Sequence, residues 1–139
     1  MPLSGAIILT AKDIDSDTFQ SIVKSLINYG WSFNDYGKIS YMTEDYDWQT
    51  ANLEDLPTVL GIIKLNIENR KDSGLTLTWQ DTSIGGSFMF VRSSEIMFSL
   101  IVNPLLLKET EIIDFSWYID KLKPLFDEIS IVRIKCIYE

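Results

Sequence analysis

Leu75-Thr76-Leu77-Thr78-Trp79-Gln80, then Ser87-Phe88-Met89-Phe90-Val91-Arg92, then the run from Glu95 to Asn103, Glu-Ile-Met-Phe-Ser-Leu-Ile-Val-Asn, decide the fold. Side chains in a strand alternate between two faces. Leu75, Leu77 and Trp79 therefore share one face, opposite Thr76, Thr78 and Gln80. The segment from Asp81 to Gly86 holds a Gly-Gly pair expected of a turn, and Ser93-Ser94 joins the next two strands. Three antiparallel neighbours in a meander follow. In the second and third strands, Phe88, Phe90, Ile96, Phe98, Leu100 and Val102 alternate along one face. Met89, Val91, Met97 and Ile101 make the other face apolar as well, so both faces want cover. One face is expected to meet helices, and the other a partner chain or a second copy.

Working outward, Ala6 to Thr10 reads as a first strand. Asp15 or Ser16 then caps a helix with Phe19, Ile22, Val23, Leu26 and Ile27 at helical spacing, and Gly30 ends it. Trp31 to Tyr36 reads as a loop. Ile39, Tyr41 and Thr43 alternate as a second strand, and Glu44 to Thr50 as a short strand or loop. A second helix starts between Asn52 and Asp55, with Pro57 in its first turn and Leu56, Val59, Leu60, Ile63 and Ile67 inward. Asp114 caps a third, with Phe115, Tyr118, Ile119, Leu122 and Phe126 inward. Pro124 should kink that helix or end it early. Ile131 to Tyr138 is a last strand. The order β-α-β-(β)-α-β-β-β-α-β predicts an α+β fold: a single mostly antiparallel sheet of five to six strands with three helices, in one domain over residues 1–139.

Composition narrows the chemistry. There is no histidine, which removes Ser-His-Asp and Cys-His catalysis and imidazole metal ligation. Cys136 is the only cysteine and lies in an apolar run, so it reads as a buried structural thiol. Asp13-x-Asp15-x-Asp17 resembles the start of a calcium loop. Thr18 stands where that loop needs glycine, and Lys24 where it needs a bidentate glutamate. No catalytic residue, cofactor or metal site is expected. The net charge of −8 repels phosphate backbones and attracts a basic protein partner. No apolar run reaches the roughly 18 residues of a membrane helix, so neither membrane nor nucleic acid is an expected partner, and a cytoplasmic location is expected.

One region stands apart. From Trp31 to Asp55, six aromatic residues alternate with Asp35, Glu44, Asp45, Asp47, Glu54 and Asp55 against the single base Lys38. Its centre is Glu44-Asp45-Tyr46-Asp47-Trp48. Aliphatic side chains are few here, which argues against deep core. Tyr and Trp are enriched at binding hot spots, and flanking carboxylates pair with Lys or Arg. Asp35, Tyr41, Glu44, Asp45, Tyr46, Asp47 and Trp48 are the expected partner-binding residues.

Size, acidity, element order and the Glu44–Trp48 run together resemble the immunity proteins of bacterial polymorphic toxin systems. The resemblance implies a non-enzymatic inhibitor that occludes a basic cognate toxin domain, such as a nuclease. Two alternatives stay open. One is a small-molecule-binding or regulatory domain with an apolar pocket lined by Phe88, Phe90, Phe98 and Trp79. The other is a subunit that forms a homodimer through a sheet face.

Overall fold

A computed structural model describes residues 5–43, 47–80, 82–91, 94–102 and 104–138. The chain is α+β. Its strands are β1 (Gly5–Ala11), β2 (Trp31–Ser32), β3 (Lys38–Met42), β4 (Trp48–Asn52), β5 (Ser73–Trp79), β6 (Gly85–Val91), β7 (Glu95–Val102) and β8 (Ile131–Tyr138). Its helices are α1 (Ser16–Tyr29), α2 (Leu56–Glu68), α3 (Phe115–Lys121) and α4 (Lys123–Glu128). All eight strands join one antiparallel sheet in the order β4-β3-β5-β6-β7-β1-β8, with β2 paired to β5. Among the described residues, no helix is long and apolar enough to cross a membrane.

Among the described residues the sheet is larger than the five to six strands expected, and the helices number four rather than three. Each difference has a local cause. Pro124 divides the expected third helix into α3 and α4, with Leu122 between them. Trp31 and Ser32, expected in a loop, pair with Trp79 and Thr78 of β5. β3 pairs with the same strand further along, Tyr41 opposite Leu75. Ten residues on one side therefore answer four on the other. The extra six are thrown out as a tight loop around Asn34 to Gly37, so β2 and β3 are two pieces of one interrupted strand. Gly85 and Gly86, expected in a turn, lie inside β6, where the pairing with β7 slips between Gly85 and Ser87. Glycine inside a strand commonly marks such a bulge or a close backbone approach.

The helix starts follow local capping chemistry. Asp15 Oδ1 accepts a hydrogen bond from the Thr18 amide at 2.8 Å, which also holds the Asp15 carboxyl below its ordinary pKa. Asp114 Oδ1 accepts from the Trp117 amide at 3.1 Å. The acids at Asp13 to Asp17 thus have a capping role at α1.

All four helices pack on one sheet face, and the aromatic side chains fix how. Phe19 of α1 meets Phe90 edge-on at 5.1 Å. Trp117 and Tyr118 of α3 meet Trp79 and Phe98 at 6.1 and 6.2 Å. Ile67 of α2 lies beside Phe90, and α4 lies against α1. Each such ring pair adds about 0.5–1.5 kcal/mol beyond its burial. Ile27 departs from its expected place: the α1 stripe ends at Leu26, and Ile27 is exposed.

The segment between β7 and α3 is held by two tyrosine hydroxyls. Tyr118 Oη accepts from the Leu105 amide at 2.8 Å, and Tyr138 Oη from the Ile113 amide at 3.0 Å. Tyr118 is fully buried, and desolvation raises its pKa above the ordinary 10.0. The folded chain therefore holds this proton more tightly than the unfolded chain. Stability from Tyr118 is complete below pH 10.0 and declines as pH rises past it. Tyr118→Phe strands the Leu105 amide, and urea unfolding is expected to show a loss of about 1–2 kcal/mol.

Candidate functional site

The second sheet face carries no helix among the described residues. Strand registers place its side chains in rows that cross the sheet. One row runs Trp48, Met42, Gly74, Met89, Met97, Ile8 and Lys135 from the β4 edge to the β8 edge. Beside it runs a row of short side chains: Thr76, Ser87, Ser99 and Ala6. Methionine is unbranched and polarisable, and a methionine-rich surface adapts to partners of varied shape.

Trp48 anchors this face. Its ring lies over Gly74: a side chain built there would come within 3.4 Å of Trp48 and 3.2 Å of Met89. Beneath it Met42 is completely buried, while Trp48 itself keeps 40% of its surface open. The acid side of the region lies at the same edge, with Asp47 directly before β4 and Glu54 and Asp55 in the short turn that follows it. Lys38 is engaged by Asn52, Nζ to Oδ1 at 2.6 Å. Arg133 and Lys135 stand at the far edge on β8, so the face runs from an acidic rim to a basic one.

The six-residue insertion builds a second feature. Asp35 and Lys38 exchange backbone hydrogen bonds of 2.7 and 3.1 Å around Tyr36-Gly37, a two-residue turn with φ of 52° and 88°. Both central residues have positive φ, as in a type I′ turn. Asn34 Oδ1 accepts from the Gly37 amide at 2.6 Å and steadies it. Tyr36 is projected at the tip, 83% exposed. Between this turn and Thr78, Gln80 and Thr82 lies an open hollow of about 380 Å³.

The expected contact residues divide. Asp35, Asp47 and Trp48 lie on the surface around this edge, with Asp35 half-buried in its turn. Tyr41 does not join them. It is only 9% exposed, projects to the helix face, and donates to Gln49 Oε1 at 3.2 Å. Trp31, Phe33 and Ile39 are core too, so three of the six aromatic residues in the stretch expected to avoid the core, Trp31, Phe33 and Tyr41, help to build it. Glu44, Asp45 and Tyr46 lie outside the described residues. Tyr36 and the methionine row were not in the expected set. The signal for the row was the second apolar face of the β6–β7 hairpin, already visible at Met89 and Met97.

No family model, no curated protein and no solved structure matches this chain. The reading of the site therefore rests on its own geometry. Phe88, Phe90, Phe98 and Trp79, the expected pocket lining, are packed ring against ring inside the core. Among the described residues, no cluster of three or more His, Cys, Asp or Glu could hold a metal ion. Cys136 is exposed on β8 rather than buried. The strand and helices on one side of it still desolvate its thiol and push its pKa above the ordinary 9.0, the opposite of an activated nucleophile. Asp120 is held below its ordinary pKa by Lys123 and Lys121. The Lys121 amine also sits 4.9 Å from the centre of the Trp79 ring, a packing role.

Proposed function

We propose that this chain is a non-enzymatic protein-binding module of the immunity type. Its helix-free sheet face and acidic β4 rim cover a basic surface on a partner protein, such as a toxin nuclease. The carrying observation is Trp48, a half-open tryptophan over a glycine at the end of a methionine row, with Asp47 beside it. Hot spots are large aromatic side chains near charges that a partner can desolvate. Size supports the reading. Six strand spacings by about 20 Å of strand give a face of roughly 600 Å², near the ~800 Å² that one partner contributes to a stable complex.

The test is an affinity capture from the native host at low and moderate salt, with unaltered chain and Trp48→Ala in parallel. The expected result is one basic protein, retained at low salt and shed as salt rises, whose activity falls stoichiometrically when the chain is added. Trp48→Ala is expected to weaken that complex at least about tenfold and to leave folding nearly intact. Asp47→Ala is expected to flatten its salt dependence. If the two captures hold the same protein equally well, Trp48 is not at the contact. A concentration-dependent dimer in sedimentation, formed through the methionine row, would replace the reading with a homodimeric subunit.

A further inference from the structure

We propose that β8 is a docking edge for an extended segment of a partner protein in which apolar and acidic residues alternate, and that this segment joins the sheet as an added strand. The surface lies at the opposite edge of the sheet from β4 and is independent of the reading above.

Among the described residues β8 pairs with β1 alone, so its other side is an open edge. It is eight residues long, whereas the other edge, β4, has five and is largely polar. Long open edges present unpaired backbone groups, and native sheets usually shorten or cover them. Here the helix layer stops short. Ile134, Cys136 and Tyr138 point to the helix face, yet Ile134 is 42% exposed and Tyr138 51%; Val132, the unpaired residue of a bulge opposite Thr10 and Ala11, is 68% exposed. An open hollow of about 650 Å³ separates α4 from β8, lined by Phe126, Ile129 and Ile134, with Asp127 and Glu128 also on its wall. Arg133 and Lys135 point to the opposite face, both exposed. Among the described residues neither makes an ion pair.

This arrangement selects the occupant. An added strand sends successive side chains to opposite faces. Those on the helix face enter the hollow and meet Ile131 and Ile134, so apolar groups fit, and Asp127 and Glu128 repel acids. Those on the other face meet Arg133 and Lys135, where opposite charges across strands are favourable. A second copy of the chain fits less well. A two-fold axis normal to the sheet keeps each face with itself. In every well-overlapped register it then brings Arg133 or Lys135 opposite or diagonal to a like charge.

Two peptides of about ten residues, the length of a long strand, test this on the full chain. One alternates valine and glutamate, the other valine and lysine. The readouts are affinity by titration and amide hydrogen exchange over residues 131–138, at about 0.15 M salt, where distant charges are screened. The net charge of −8 favours the lysine peptide, so a preference for glutamate must arise locally. The glutamate peptide is expected to bind about tenfold more tightly and to slow exchange in β8. Arg133→Glu with Lys135→Glu is expected to reverse the order. Should that variant not fold, the two peptides on the unaltered chain still decide. Equal binding, protection elsewhere than 131–138, or a self-associated β8 edge would overturn the proposal.

Discussion

Gly86→Val is expected to destabilise the fold by about 3 kcal/mol, the upper end of the cost of overpacking. Total stability for a domain is only about 5–15 kcal/mol, so the loss is severe. Gly86 lies at the bulge where β6 meets β7. A Cβ there would strike the Ser99 carbonyl oxygen and stand 2.5 Å from Phe98 Cε1. Neither can retreat. Ser99 is backbone inside the sheet, and Phe98 is fully buried against Phe88, Trp31 and Tyr118. The control is Gly61→Ala. Gly61 sits in α2, and nothing stands within 4 Å of where its Cβ would be. Alanine there removes freedom from the unfolded chain and favours helix, for a gain of about 0.4–1 kcal/mol. Urea unfolding of the two variants should therefore shift in opposite directions. A Gly86→Val midpoint equal to that of the unaltered chain would mean that Gly86 is not pressed against the Ser99 carbonyl.

These glycines mark the boundary of what the sequence makes legible. Alternation, helical spacing and caps are local, so Asp15, Asp114, the β5–β7 meander and the stop at Pro124 could be read directly. Whether a strand lies at the centre or the edge of a sheet depends on distant neighbours. Ile131 to Tyr138 has the composition of a buried strand, yet among the described residues no strand lies beyond it, and Cys136 is exposed. Gly85-Gly86 looks like a turn because glycine pairs usually are turns. Only the Leu77 carbonyl, eight residues before Gly85, and the Ser99 carbonyl, thirteen residues after Gly86, reveal the close approach. The acidic aromatic stretch was legible as unusual but not as divided. Its faces are set by the six-residue insertion between β2 and β3, which no local pattern announces.

The division is sharpest between its two tryptophans, and Trp31→Ala is expected to cost about 4 kcal/mol. Trp31 is buried on the helix face, with its ring 5.3 Å from Trp79 and 5.6 Å from Phe98. Its Nε1–H donates to the Lys121 carbonyl at 2.7 Å. That carbonyl ends α3. In a continuing helix it would receive the Leu125 amide, but that amide turns to Leu122 at 3.0 Å where Pro124 restarts the chain as α4. Trp31 thus satisfies a helix-end acceptor that the proline break leaves open. Trp31→Phe keeps most of the packing and removes the donor, so about 1–3 kcal/mol is expected from the stranded carbonyl. Trp48→Ala, by contrast, removes a half-exposed ring and should shift the urea midpoint little. The paired outcome tests the separation of roles: Trp31 holds the helix layer to the sheet, and Trp48 is free for a partner. If Trp31→Phe proves as stable as the unaltered chain, the hydrogen bond to Lys121 contributes nothing and packing alone holds α3. If Trp48→Ala proves as damaging as Trp31→Ala, Trp48 is a structural residue, and the binding surface must be sought away from the methionine row.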